Sequence, residues 1–366
     1  MLVISLINAY YQLLSTSLTG YAQMKYFKGS FVFTFICLGL AAVLGYNMTG
    51  TLSGTLSTVF ICAILGVLEV SLSFDNAVVN ATVLRDMSPL WQRRFLTWGI
   101  LIAVFGMRLL FPLIIVGIAA HLNPISALKL AIEQPSQYAQ ILSGAHIGIM
   151  GFGGSFLGLV GLKFFFNAEK DVHWVAYIEQ FLTKFSRVQS IEVVVVLLSL
   201  LGVAKFIPNE EALTFITAGI FGIIVFVLVE ALGVLLEKEN TTTTVAKAGL
   251  GTFIYLEILD ASFSFDGVIG AFALSNNLFI IVLGLSIGAM FVRSLTIMLV
   301  QLNTLTKYRY LEHGAFWAIL ALSGLMFASV CKEIPEVVTG LIGAAFIILA
   351  LLTSIRWNKL NPDKTK

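Results

Sequence analysis

Long runs of apolar residues, separated by short polar stretches, dominate the pattern of this chain. Several runs reach about 20 residues, the length that an α-helix needs to cross a bilayer. They lack the alternation of polar and apolar residues that is typical of transmembrane β-strands. The pattern therefore predicts an all-α, polytopic helical membrane protein with about ten spans, nine being possible, at residues 31–46, 56–84, 95–119, 141–166, 190–207, 213–236, 250–274, 278–301, 311–330 and 335–355.

Composition excludes a soluble globular protein. The 366 residues are 58% hydrophobic and 11% charged, whereas soluble domains carry about 25% charged residues. The lipid bilayer is the expected partner, and nothing in the chain predicts nucleic-acid binding. The three cysteines stand singly in apolar runs, without the spacing of a zinc site or a disulfide framework, so we expect no tightly bound cofactor.

The distribution of basic residues predicts the orientation in the membrane. Of the 22 lysines and arginines, three fall within spans (Lys163, Arg108 and Arg293), and three fall in loops on one side (Lys129, Lys205 and Lys332). The other sixteen lie on the opposite side, which the positive-inside rule makes cytoplasmic. We therefore expect a multi-pass protein of the inner (cytoplasmic) membrane with both termini in the cytoplasm.

The predicted spans divide the chain into five parts. Trp174, Tyr177, Phe181 and Phe185 recur at helical spacing in the one long cytoplasmic loop, which predicts an amphipathic helix lying in the membrane interface. The parts are an N-terminal extension without a convincing span (1–30), a first membrane repeat (31–166), the interfacial helix (167–189), a second membrane repeat (190–355) and a cytoplasmic tail (356–366).

Two acidic motifs suggest that the membrane part is a repeat. Residues 69–78 (EVSLSFDNAV) and 260–269 (DASFSFDGVI) share the pattern of an acid, Ser-x-Ser-Phe-Asp and a small or amide residue. The span after each motif contains an arginine, Arg108 or Arg293, and the next span has a histidine near its start, His146 or His313. Because spans two and seven cross in opposite directions, we expect an inverted-topology repeat with a binding site at the midplane, as in secondary transporters.

The motif acids predict a cation site. An unpaired charge at the bilayer centre costs roughly 2.5–3.5 kcal/mol, so these carboxylates need protons, counter-ions or a bound cation. Carboxylate, amide and hydroxyl oxygens suit hard divalent ions such as Mg²⁺, Ca²⁺ and Mn²⁺. The expected metal-binding residues are Glu69, Asp75, Asn76, Asp260 and Asp266, and the hydroxyls of Ser71, Ser73, Ser262 and Ser264 are possible further ligands.

The spacing within each motif constrains the site. On an unbroken helix, acids six residues apart lie roughly 120° and 9 Å apart, too far to share one ion. Either the helix unwinds at the motif, or each half contributes one acid. Gly267, which follows Asp266, favours a local break in the second half, and we expect broken helices.

Four further groups have two interpretations each. Arg108 and Arg293 can neutralise one carboxylate apiece or take part in the transport cycle. Glu257 lies one helical turn before Asp260 and can carry a proton or pair with a base. His146 can supply a nitrogen ligand or a contact between helices.

These motifs resemble those of the TerC family of integral membrane proteins. The resemblance rests on the two Phe-Asp-[Asn/Gly] motifs and on residues 283–294 with Gly284, Gly288 and Arg293, and it extends over most of the chain from Met24. It is strongest for a branch of that family without an assigned function. It implies membership of a superfamily of metal exporters, with links to manganese export and, by name, to tellurium resistance. Many members have Gly-Ile-Asp-Asn where this chain has Ser-Phe-Asp-Asn, which leaves the identity of the ion open.

We therefore expect a secondary transporter that exports a divalent metal cation, with Mn²⁺ as the first candidate substrate, and not an enzyme. No ATP-binding GxxxxGK[ST] motif is present in the sequence. Two alternatives remain from the sequence: a membrane accessory protein for metalation or insertion of exported proteins, and an intramembrane aspartyl-type enzyme.

Overall fold

The computed structural model describes residues 20–168, 170–237, 244–332 and 334–361, and every regular element in these ranges is helical. The first part of the chain forms α1 (Gly20–Thr49), α2 (Leu52–Leu72), α3 (Phe74–Arg85), α4 (Pro89–Leu101), a π-helix (Ile102–Leu110), α5 (Phe111–Ala119), α6 (Pro124–Glu133), α7 (Pro135–Gly144) and α8 (His146–Phe166). The second part forms α9 (Ala176–Thr183), a 3-10 turn (Lys184–Arg187), α10 (Ile191–Ala204), α11 (Asn209–Glu237), α12 (Thr244–Leu274), α13 (Leu278–Gln301), α14 (Thr304–Lys307), α15 (Leu311–Ser329) and α16 (Glu336–Leu360).

Within the described ranges, eight helical stretches are long and apolar enough to cross a membrane, or nine if a bent pair counts as one span: Met24–Thr49, Leu52–Leu72, Pro89–Ala119, His146–Phe166, Asn209–Leu232, Leu278–Gln301, Leu311–Ser329 and Val337–Leu360. The bent pair joins Ala176–Arg187 to Ile191–Ala204 at an angle of 110°. Of the two other predicted spans, α10 has only 14 residues, and α12 has 31 residues but carries the second acidic motif. The protein is thus a multi-pass helical membrane protein, but the count of ten spans is not confirmed.

The first helix begins earlier than predicted. It starts at Gly20 instead of residue 31 and continues through Lys25 and Lys28. Basic residues near the end of a span can reach the membrane surface and need not end a helix. Residues 20–30, which were expected to contain no convincing span, are thus helical, and the candidate span begins at Met24. Residues 1–19 and 362–366 lie outside the described ranges.

Helices α8 and α13 form the centre of the bundle. In the most apolar stretch of each helix, 72% of the residues of α8 and 78% of those of α13 are buried inside the protein, against 17% for α1. Glycines on α8 permit the close approach: a Cβ at Gly151 would lie 2.5 Å from the carbonyl oxygen of Phe215 on α11. The peripheral helices expose large apolar side chains such as Phe35 and Phe60, as expected of a surface that faces lipid.

The loop between α8 and α10 contains the short helix α9, which is shorter than predicted and is held to α15 by side-chain contacts. Tyr177 and Phe181 of α9 are exposed, which fits an interfacial position. Glu179, which lies between these two residues in sequence, is fully buried. Its Oε2 lies 2.9 Å from His313 Nδ1, and its Oε1 accepts a hydrogen bond of 3.0 Å from Trp317 Nε1. Burial raises the pKa of Glu179, but His313, Trp317 and nearby backbone amides outweigh it and lower that pKa to about 2.

Candidate functional site

The first acidic motif interrupts its helix. Helix α2 ends at Leu72 and α3 begins at Phe74, with Ser73 between them at φ −103° and ψ 20°. The amide of Ser73 still donates to the carbonyl of Glu69 at 2.9 Å, so the register of the helix is kept across the break. The predicted break is confirmed for this motif.

The second motif does not interrupt its helix. Helix α12 runs continuously through it, so the break predicted from Gly267 is wrong. Gly267 instead permits a close contact between the helices, because a Cβ at this residue would lie 3.1 Å from Glu69 Oε2. Gly267 thus lets the second motif approach the carboxylate of the first.

Glu69 and Arg108 form a buried ion pair. Arg108 Nη2 donates to Glu69 Oε1, and Arg108 Nη1 donates to the carbonyl of Ala103 at 2.7 Å. Both charged side chains are almost inaccessible. The same carboxylate oxygen accepts a hydrogen bond of 3.3 Å from Ser73 Oγ. The arginine lies in the π-helix, a rare form that occurs frequently at functional sites.

Arg293 pairs with two carboxylates of the second half. Its Nη2 lies 3.0 Å from Glu257 Oε2 and 3.4 Å from Asp260 Oδ2. Its Nη1 donates to the carbonyl of Phe95 at 3.1 Å, and the guanidinium lies 4.3 Å from the centre of that ring. Gly99 leaves room for this pair, because a Cβ there would lie 2.2 Å from Arg293 Nη1. Of the two interpretations of Glu257, the contact supports that of a partner for a base.

The two motifs face one small internal cavity, which we call the central cavity. Its volume is about 10 Å³, the room of about one water molecule. Charged and polar groups from both halves of the chain line this cavity: Glu69, Ser73, Asn76, Arg108, Asp260 and Arg293. Ala289 and Val292 form its apolar walls.

A second cavity, of about 40 Å³, adjoins the first motif. We call it the Asp75 cavity, and it shares Glu69, Ser73 and Asn76 with the central cavity. Asp75 lies in its wall, is buried, and accepts a hydrogen bond of 3.0 Å from the amide of Asn76. Among the described residues no lysine or arginine forms an ion pair with Asp75.

Helix α16 closes the Asp75 cavity. Thr339 and Gly340 line it, and a Cβ at Gly343 would lie 2.5 Å from Asp75 Oδ2. These residues were not predicted as site residues, because α16 carries no acid at this position. The sequence feature that could have indicated them is the pair Gly340 and Gly343, three residues apart near the start of a span, a spacing that permits close contact with a neighbouring helix.

Not all predicted site residues meet at the cavities. Ser71 is exposed, and its hydroxyl donates to the carbonyl of Val67 at 2.8 Å. Ser262 is buried, but its hydroxyl donates to Ile258 of its own helix at 2.9 Å. The side chains of Ser264 and Asp266 lie outside the described part of the chain. His146 begins α8 and is not among the residues lining either cavity.

The arrangement is ionic but holds no preformed metal site. Within the described residues, no group of three or more His, Cys, Asp or Glu side chains is arranged to hold a metal ion. The reason is visible in the pairs above, since the arginines occupy the positions at the carboxylates that a cation would take. Apart from Glu179, the described buried carboxylates are Glu69, Asp75, Glu257 and Asp260, and two guanidinium groups pair with three of them.

The helices and the buried charges define a multi-pass α-helical membrane protein with a cluster of ionisable groups inside the bundle. A family described as proteins of unknown function (DUF475) matches residues 74–361. The chain belongs to this family. No functionally curated protein and no solved structure matched the chain.

Proposed function

We propose that this protein is a secondary transporter that exports a divalent metal cation, with Mn²⁺ as the first substrate to test. One observation carries the proposal. Apart from Glu179, which contacts His313, the four buried carboxylates of the described residues stand against two arginines. If all are ionised, two negative charges are uncompensated. Burying unpaired charges is costly, and a divalent cation would balance this excess.

The chemistry of the cavity walls supports a hard cation. Besides Arg108 and Arg293, the polar side chains around the two cavities are carboxylates, the Asn76 amide and the Ser73 and Thr339 hydroxyls. All of these can offer oxygen, the donor that Mg²⁺, Ca²⁺ and Mn²⁺ prefer. The manganese assignment and the direction of export rest on the resemblance to the TerC family, and not on the geometry.

The arginines fit a transport cycle as substitute counter-ions. In the present arrangement the two arginines form ion pairs with Glu69, Glu257 and Asp260. The central cavity is too small to hold a hydrated ion. A cation would enter as a guanidinium swings away from its carboxylate, and the pair would form again after release. This exchange would let the empty carrier return without leaving bare charges in the membrane.

The two ion pairs also support an inverted repeat. Glu69 and Asp260 hold equivalent positions in the two motifs, and each contacts the arginine of the following span. Both pairs border the central cavity. Alternating access would then be a rocking of the two halves about this cavity.

The experiment is a flux assay with the full chain in liposomes. Uptake or efflux of Mn²⁺, Ca²⁺, Mg²⁺ and Zn²⁺ is followed under imposed pH and voltage gradients, for the wild type, Asp75→Asn and Ser71→Ala. Ser71→Ala is the matched control, because its exposed hydroxyl bonds within its own helix. We expect flux of at least one ion in the wild type and the control, and none in Asp75→Asn.

Two results would contradict the proposal. Wild-type flux in Asp75→Asn would show that the buried carboxylate is not needed. The absence of flux for every ion in the wild type would favour the accessory protein for metalation or insertion.

A further inference from the structure

A third cavity lies at the bend between the interfacial segment and α10. The chain turns by 110° between Ala176–Arg187 and Ile191–Ala204, and Ser190 at the turn has a left-handed backbone conformation, at φ 57° and ψ 28°. Because the two segments diverge from the bend, they leave space next to the C-terminal end of α8. This space, which we call the elbow cavity, has a volume of about 460 Å³, within the range of small-molecule sites.

The walls of the elbow cavity combine aromatic rings with polar side chains. Phe164 and Phe316 line it, and their rings stack with their centres 3.8 Å apart. The polar side chains in its walls include Lys163, Ser186, Gln189 and Glu192. Apolar walls with a few polar groups are typical of sites that bind small molecules.

Two opposite charges line the elbow cavity. Lys163 forms an ion pair with Glu230 of α11, but its side chain remains 55% exposed, and an ammonium group has three N–H donors. Glu192 forms no ion pair within the part of the chain that the structure describes. The cavity can therefore donate hydrogen bonds to an anionic group and accept them from a cationic group of the same ligand.

The elbow cavity adjoins the surface that faces lipid. Leu198 and Leu201 of α10 are exposed, as expected of a peripheral helix in contact with acyl chains. Tyr177 and Phe181 of α9 are also exposed, which fits a segment lying at the level of the headgroups. A cavity at the junction of these two segments lies where phospholipid headgroups are found, in the leaflet that the charge distribution predicts to be cytoplasmic.

We propose that the elbow cavity binds the headgroup of a phospholipid that carries a phosphate and a primary ammonium, as phosphatidylethanolamine does. The phosphate pairs with Lys163, and the ammonium pairs with Glu192 and donates to the oxygens of the turn. The acyl chains extend along the exposed apolar side of α10. The site is independent of the proposed transport, because none of the residues that line the elbow cavity lines the central cavity or the Asp75 cavity.

The charges of the cavity predict which lipids it selects. Phosphatidylglycerol has a phosphate but no cationic group, so it would leave the Glu192 carboxylate unpaired. Phosphatidylcholine has the same net charge as phosphatidylethanolamine, but its quaternary ammonium has no N–H to donate. We therefore expect phosphatidylethanolamine to bind several-fold more tightly than either of the other two lipids.

The test is native mass spectrometry of the delipidated full-length protein in detergent, titrated separately with the dioleoyl forms of the three lipids. Glu192→Gln removes the charge at similar volume, and Ser186→Trp fills the cavity. Glu210→Gln is the matched control, because Glu210 is likewise an acid in the first turn of a helix, is exposed, and does not line the elbow cavity. We expect the preference for phosphatidylethanolamine to disappear in Glu192→Gln, tight binding to be lost in Ser186→Trp, and the control to behave like the wild type.

Three results would overturn the inference. The first is equal binding of the three lipids, or tightest binding of phosphatidylglycerol, by the wild type. The second is an unchanged preference for phosphatidylethanolamine in Glu192→Gln, and the third is wild-type binding by Ser186→Trp. None of these results bears on the flux assay, so the proposed function can stand or fall separately.

Discussion

Removal of Arg108 tests whether the Glu69–Arg108 pair is a true ion pair between buried charges. In Arg108→Leu, the Glu69 carboxylate keeps the hydrogen bond from Ser73 but loses its only basic partner in the described part of the chain. Breaking a buried ion pair from one side costs about 3–5 kcal/mol. The folded variant can limit this cost by protonating the acid.

The size of that cost depends on pH. An ordinary glutamate has a pKa of about 4.3 in water, so protonating it costs roughly 4 kcal/mol at pH 7 and roughly 1 kcal/mol at pH 5. The folded variant then holds one proton more than its unfolded state over this range, so its free energy of unfolding falls as pH rises. We expect the destabilisation by Arg108→Leu to be about 3 kcal/mol larger at pH 7 than at pH 5.

The assay is reversible unfolding in mixed detergent micelles, followed by circular dichroism at both pH values. Glu69→Gln/Arg108→Leu is the control, because it removes both charges and preserves an acceptor for Ser73. We expect this double variant to be more stable than Arg108→Leu at pH 7 and to show little dependence on pH. An equal penalty at both pH values, or a double variant as unstable as the single one, would refute the reasoning.

Three further predictions concern other contacts. Arg293→Leu is expected to destabilise the protein by about 1–3 kcal/mol more than Arg108→Leu, since it leaves two neighbouring carboxylates unpaired; equal losses in the same unfolding assay would contradict this. Gly343→Ala is expected to reduce Mn²⁺ flux strongly, because its methyl group would lie 2.5 Å from a carboxylate oxygen of the first motif, whereas Gly324→Ala, with open space at its Cβ, should not. Because the pKa of Glu179 is lowered from 4.5 to about 2, its stabilising effect should be complete above pH 4.5 and disappear as pH falls toward 2. The protection factors of the α9 amides, which compare their exchange with that of an unstructured chain at the same pH, should therefore fall on acidification in the wild type and already be low at pH 6 in Glu179→Gln. Protection factors that are independent of pH would oppose this.

The sequence predicted which charged residues lie inside the bundle better than it predicted the geometry of the helices around them. Acids and arginines inside apolar runs are costly, so Glu69, Asp260 and the two arginines could be expected to meet inside the bundle. The sequence could not show which acid each arginine would select. Glu257 turned out to be the nearer partner of Arg293, at 3.0 Å against 3.4 Å for Asp260.

Local backbone geometry was harder to predict, because it depends on tertiary contacts. The two motifs share Ser-x-Ser-Phe-Asp, yet only the first breaks its helix. Glycine after the second motif suggested a break, but Gly267 remains helical where it packs against Glu69. The burial of Glu179 depends on His313 and Trp317, which are more than 130 residues away in sequence, so its amphipathic pattern alone could not predict it.

The π-helix at Ile102–Leu110 affects how the two halves of the chain can be compared. Arg108 follows Glu69 by 39 residues, whereas Arg293 follows Asp260 by 33. An α-helix turns by 100° per residue, so deleting one residue before Arg108 would rotate its guanidinium away from its acid. The wider turns of the π-helix keep Arg108 directed at Glu69. Helix α13 brings Arg293 to Asp260 as a regular α-helix. If the two halves arose by duplication, the difference of six residues between the two spacings requires an insertion in the first half or a deletion in the second. An ungapped comparison of the two sequences would therefore misalign the arginines.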